Sequence, residues 1–295
     1  TKGATALSGE NNRKEAENQG QKGLFGEEFA GAPATEDYAD EIAVMTQRED
    51  DGQDDQPLLA LSPVALDRPE TVRASLRDLL PYIDELDLFE KRWGFDKGAA
   101  SRDEWCRWAQ AELVPVFNNL VAYCERENIY DLRASFVYTE AAAQSETLFL
   151  YKGEASESYY AHVFPREKNG RCVTDKFCGA GVSPKDTAAL ILATCGQKAQ
   201  ATARKWKMNG KTADYKYLHG LSQEITAALT RYTENLIHKH GACVGGAVCL
   251  ADKSSAVDDM QILLSALNAS AAGVTINPAG ILSPEYAAVY LVPPR

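Results

Sequence analysis

The chain is predicted to be an α+β protein in which helices flank an antiparallel sheet. Two observations carry this expectation. Segments 134–139 (ASFVYT), 147–151 (TLFLY) and 159–164 (YYAHVF) are short, aromatic and β-branched, and their connections are too short for helical crossovers. On either side of them lie longer runs whose apolar residues recur every three or four positions, as on one face of a helix.

The elements follow in order. Residues 1–70 carry 6 Lys+Arg and 16 Asp+Glu, which leaves 25 against 26 for residues 71–295. Nearly all of the net charge of -11 therefore lies in the first quarter. Residues 1–68 are expected to be an acidic, largely extended tail or linker. It holds one short helix at 37–47, with Tyr38, Ile42 and Met45 on one face, followed by the acidic run 49–55. Residues 69–295 are expected to form the folded domain.

Thr71 is read as the cap of a helix that places Leu76, Leu79 and Leu80 on one side and stops at Pro81. Ser101 with Glu104 forms a capping box for a stronger helix carrying Trp105, Trp108, Leu113, Val116, Phe117, Leu120, Val121 and Cys124, kinked at Pro115. Its two tryptophans are read as core. After the three strands, Ser183-Pro184-Lys185-Asp186 resembles a helix start, and the Ala/Leu-rich stretch 187–203 is expected to be a buried helix. A helix at 214–238 turns Leu218, Leu221, Ile225, Ala228, Leu229, Tyr232 and Leu236 inward. Another at 257–267 does so with Met260, Leu263, Leu264 and Leu267, and strands at 273–277 and 286–292 finish the fold.

The near-neutral body offers neither a nucleic-acid surface nor a polybasic membrane patch. No run approaches the ~18 apolar residues of a membrane span, and the first thirty residues lack the apolar core of a signal peptide. Seven cysteines, an odd and scattered set, suit reduced thiols. A cytoplasmic location is expected. Residue 1 is Thr, which leaves an organelle matrix, after removal of a targeting segment, as the alternative.

There is no phosphate-cradling glycine loop, no His-Glu-x-x-His and no Gly-x-Ser-x-Gly elbow. The densest set of chemical side chains is His238-Lys239-His240, Cys243, Gly245-Gly246, Cys249 and Asp252. Histidine and cysteine suit zinc, yet no Cys-x-x-Cys pair is present. A basic helix end followed by a tight Gly-Gly turn explains the same residues, and no metal is expected. Cys172 and Cys178 repeat the six-residue interval of Cys243 and Cys249, a spacing rarely seen in compact zinc knuckles, and His162 and His219 read as structural. Asp84, between apolar neighbours after a helix, reads as the cap of the next turn.

One further pattern spans about residues 70–292. Leu80-Pro-Tyr-Ile-Asp84 is followed by Phe89 and Trp93, then by Leu148-Phe-Leu-Tyr, Phe164-Pro-Arg-Glu-Lys and Cys172-Val-Thr-Asp175. Asp214-Tyr215 then opens the helix containing Leu229-Thr-Arg-Tyr232, and Gly273-Val-Thr-Ile-Asn precedes 286–291. This order resembles the C-terminal activation domain of cobalamin-dependent methionine synthase. The resemblance implies a bent antiparallel sheet flanked by helices that binds S-adenosylmethionine. It also implies reductive methylation of cob(II)alamin held by a partner cobalamin-binding domain, with an electron from flavodoxin or a flavoprotein reductase. Asp84 matches the family aspartate that contacts the ligand's amino group. The family's Arg-Pro-Ala-Pro-Gly-Tyr-Pro-Ala-Cys-Pro segment falls on 241–250, its arginine on Gly241 and its tyrosine on Gly246. Lys239 or His240 then stands in for the lost cation, and Gly245, Gly246 and Ala247 supply backbone donors. Neither the resemblance nor the residues point to a catalytic side chain of the chain's own. The alternative is a non-catalytic homologue serving as an interaction or structural subunit, with the acidic arm docked on a partner.

Overall fold

The computed structural model describes residues 65–294, apart from 99, 154–156, 183–184, 242 and 251–256. The expected short helix at 37–47 and the acidic run lie outside the described residues. In chain order the principal elements begin with strand β1 (Glu70–Arg73), helices α1 (Arg102–Glu112) and α2 (Val114–Arg126), and strands β2 (Arg133–Gln144), β3 (Thr147–Tyr151), β4 (Ser158–Val163) and β5 (Asp186–Thr194). Helices α3 (Gln197–Met208) and α4 (Thr212–His240) follow, then β6 (Val248–Cys249), α5 (Val257–Ala266), β7 (Thr275–Ile276), β8 (Leu282–Ser283) and β9 (Ala287–Val292).

Two compact units are built from these elements. Among the described residues, one comprises 83–130 and 198–224, the other 65–82, 131–197 and 225–294.

The second unit holds a curled antiparallel sheet in the order β4-β3-β2-β5-β9-β6. The free side of β2 is shared, with β1 pairing its first residues and β3 its last. The expected meander of three strands is therefore present. Alternation along β5 divides two cores. Ala188, Leu190 and Leu192 face a cluster with Leu148, Leu150, Val289, Leu291 and the α5 residues Met260, Leu263 and Leu264. Ala189 and Ile191 face Phe136, Tyr138, Ile237, Cys243 and Val292.

This placement corrects the expected helix at 187–203. The stretch is strand β5 up to Thr194, and the helix begins only at Gln197, after the left-handed Gly196. A strand covered on both faces shows a continuous apolar run, so its alternation is invisible, and its alanines suggest a helix. Gly196 is required there. A Cβ would sit 2.9 Å from the Asp131 Cβ, and the backbone φ is +82°.

The beginning of the fold is also corrected. Thr71 lies within β1, and the helix after it is the single turn Leu76–Leu79, capped by Ser75. The Ser75 hydroxyl accepts from the Asp78 N–H while the Asp78 carboxylate accepts from the Ser75 N–H, a reciprocal box.

The first unit is helical. Ser101 and Glu104 form the expected capping box of α1, and the chain breaks at Leu113 so that Pro115 enters the first turn of α2, where its missing N–H costs nothing. Phe89 lies against Trp93 and Phe117, with ring centroids 5.1 and 6.4 Å apart. Trp93 packs edge-on to Tyr217 at 4.7 Å and donates its indole N–H to the Tyr217 carbonyl. Trp105 is buried as expected and donates to the Phe95 carbonyl.

Candidate functional site

Asp84 follows Pro81-Tyr82-Ile83, where a 3-10 turn ends, and its extended backbone starts the single turn Glu85–Asp87. Its Oδ1 accepts the Asp87 N–H at 2.9 Å, so the capping role is real. Asp84 is exposed, and Oδ2 has no hydrogen-bond partner among the described residues. Burial first, and then the Asp84 charge beside it, push the Glu85 carboxyl above its ordinary value.

Beneath Asp84 lies Glu224 of α4, whose side chain has 0% exposure. Its Oε1 accepts the Asp84 N–H at 2.9 Å and its Oε2 accepts from Arg92 Nε at 2.8 Å. The same Arg92 nitrogen lies 3.1 Å from Asp87 Oδ2. Arg92 sits in the π-helical turn Leu88–Arg92, which also brings Phe89 into the core. A Cβ at Gly220, one turn before Glu224, would lie 2.7 Å from the Trp93 indole, so glycine lets α4 approach this close.

The other sequence candidates lie in the second unit, at the C-terminal end of α4 and in the loop after it. Lys239 and His240 are exposed on the last turn, where cations favour the helix dipole. Gly241 terminates the helix in the left-handed region, φ +74°, and donates to the His238 carbonyl. Glu234 then reaches forward, its Oε1 accepting the Ala247 N–H at 2.8 Å. From the far side Gly245 donates to the Pro293 carbonyl at 3.1 Å, and β6 pairs with β9. The loop is thus held at both ends. Below it Cys243 is buried, which pushes its thiol up to about 12, an inert group rather than a nucleophile. The buried Tyr138 hydroxyl has no partner among the described residues, and its ring lies 6.4 Å from that of His240.

The two loop glycines are not equivalent. A Cβ on Gly245 would lie 2.5 Å from Pro293 Cγ and 2.8 Å from the Pro294 carbonyl, whereas one on Gly246 would meet nothing within 4 Å. Gly245→Ala is therefore expected to cost about 1–2 kcal/mol by overpacking, and Gly246→Ala to stay within about 0.5 kcal/mol of wild type. Paired urea titrations decide this, and equal effects at the two positions would refute it.

Asp84 therefore belongs to the first unit, and Lys239, His240, Gly245, Gly246 and Ala247 gather in the second. Sequence reasoning passed over Glu224, Arg92, Asp87 and Glu234, the groups that fix the candidates in place. The signal for Glu224 was present: a carboxylate three residues after Leu221 and four before Ala228 lies on the apolar stripe of its helix. Among the described residues no three His, Cys, Asp or Glu side chains assemble as metal ligands, and no helix is long and apolar enough to cross a membrane.

No family model matches the chain. Methionine synthase of Mycobacterium leprae (strain TN) is 25% identical over 199 residues, a match that takes in 63% of this chain and 16% of that protein's length. Among solved structures, the MetH reactivation domain bound to AdoHcy aligns with a TM-score of 0.61 and 14% identity, covering 79% of each chain. The fold of this chain, a curled antiparallel sheet with flanking helices, is thus similar to that of the reactivation domain.

Proposed function

We propose that the chain is a reactivation module that binds S-adenosylmethionine and presents its methyl group to cob(II)alamin held on a separate cobalamin-binding domain. The electron comes from flavodoxin or a flavoprotein reductase. The observation that carries this reading is the Asp84 carboxylate, exposed, fixed through Oδ1 and uncommitted at Oδ2. Support also comes from a fold shared with a domain solved with AdoHcy. A ligand that carries a sulfonium and an α-ammonium group is attracted to a fixed carboxylate. The ammonium falls to Asp84.

One observation favours the second reading, a non-catalytic homologue that acts as an interaction subunit. Gly241 replaces a family arginine at a left-handed position, where an arginine would be strained by about 1 kcal/mol, so neither the cation nor its fork geometry stands there.

Calorimetric titration of the full chain with S-adenosylmethionine separates the two. Asparagine keeps the capping oxygen and removes the charge, so Asp84→Asn is expected to leave the unfolding midpoint within a degree or two while weakening binding by about tenfold or more. Absence of binding up to millimolar ligand, or equal affinity for Asp84→Asn, would sink the S-adenosylmethionine reading.

A further inference from the structure

We infer that Glu224 is the positioning residue of the Asp84 carboxylate, an inference that rests on the reading of Asp84 above. A charge buried to 0% exposure is costly to keep on a helix that also buries Leu221, Ile225 and Ala228, unless it is paired and hydrogen-bonded. What the carboxylate does there is hold two separate groups. It takes the Asp84 backbone N–H on one oxygen and the Arg92 guanidinium on the other, at 2.9 and 2.8 Å.

From Arg92 the contacts return to Asp84. The guanidinium meets Asp87 Oδ2 at 3.1 Å, and the Asp87 N–H donates to Asp84 Oδ1 at 2.9 Å. The backbone of Asp84 is thereby tied from below and its side chain from the following turn, in one closed circuit through three elements. An exposed aspartate outside such a circuit samples several rotamers and must be ordered by its ligand. Here the carboxylate is held through Oδ1 before any ligand arrives, which lowers the ordering cost of binding. Glu224 is too deep to touch the ligand, so it acts only through Asp84.

The benefit is confined to ligands that use Asp84. S-Adenosylmethionine carries the α-ammonium group, and 5′-methylthioadenosine lacks the whole amino-acid arm. Glu224 should therefore set discrimination between the two rather than affinity for the nucleoside.

The test is a double-mutant cycle on the full chain, read by calorimetry with both compounds. Glu224→Gln is expected to weaken S-adenosylmethionine by about tenfold in the wild-type background and by less than about twofold in the Asp84→Asn background. Affinity for 5′-methylthioadenosine should be unmoved in both. Asp87→Asn opens the circuit at a half-buried link without disturbing the buried carboxylate, and covers the case in which Glu224→Gln does not fold. It should reproduce the pattern at about threefold. Equal weakening of the two compounds, or full additivity with Asp84→Asn, overturns the positioning role. If Asp84→Asn weakens S-adenosylmethionine and neither circuit variant does, the positioning role alone falls. If Asp84→Asn changes nothing, the reading of Asp84 falls and takes this inference with it.

Discussion

Leu192→Ala is expected to destabilise the protein by about 3–4 kcal/mol, seen as a lower urea midpoint with little change in slope. Leu192 is wholly buried in β5, between β2 and β9, and faces the cluster closed by Leu263 and Leu264 of α5. The surrounding strands are hydrogen-bonded on both sides, so the sheet cannot collapse into the space left by the side chain. The full cavity cost therefore adds to the lost burial. Ile191→Ala removes a similar side chain from the opposite face, where Phe136 and Val292 lie. The effects of Leu192→Ala and Ile191→Ala should add to within about 0.5 kcal/mol, because they open cavities in different cores. Leu190 and Leu192 share one core, and their double variant should depart from additivity. Were the segment helical, successive residues would not divide between two cores in this way, so strong coupling between positions 191 and 192 would count against the strand.

The same strand marks the limit of what the sequence reveals. The meander from β2 to β4 is legible because aromatic and β-branched runs are set off by short polar turns, and β4, at the sheet edge, carries polar residues between its apolar ones. α4 is legible because its inward stripe repeats over many turns. β5 is not, because two faces of cover erase the alternation and leave Ala-Ala-Leu-Ile-Leu-Ala, a string that helices also favour. Thr71 and Ser75 are both competent caps, and only strand pairing of Thr71 with Ser135 decides between them.

The candidate site divides along the same line. Asp84 as a cap is local chemistry, recoverable from Pro-Tyr-Ile-Asp-Glu-Leu-Asp. Its tie to Glu224 joins residues 140 positions apart, and the clamp on Gly245 comes from Pro293, so both depend on tertiary contacts that no short window contains. What the order of short segments did reveal was the fold: pieces too degenerate to carry a ligand set still preserve the sequence of strands and helices.

Asp214→Asn is expected to stabilise the protein near neutral pH and to have little effect near pH 4, the opposite of the usual result for removing a helix-start acid. Asp214 lies in the first turn of α4, where the dipole favours a carboxylate, but it is only 6% exposed. Its Oδ1 has no hydrogen-bond partner among the described residues. Burial pushes its carboxyl from 3.8 up to about 6, against the opposing pull of Lys211. Between those two values the folded protein holds a proton that the unfolded chain has released, so stability falls as pH rises. The stabilising proton is fully in place below about 3.8 and is lost as pH passes through about 6. A difference of roughly two pKa values corresponds to about 3 kcal/mol between pH 4 and pH 7, an upper bound because local relaxation admits water to the charged form. Asparagine has no such transition. The stability difference between the variant and the wild type, followed by urea unfolding from pH 4 to 8, should grow in favour of the variant by about 2–3 kcal/mol and level off above pH 7. A flat difference across that range would show that Asp214 is charged in the folded protein and solvated through a route the buried geometry does not provide.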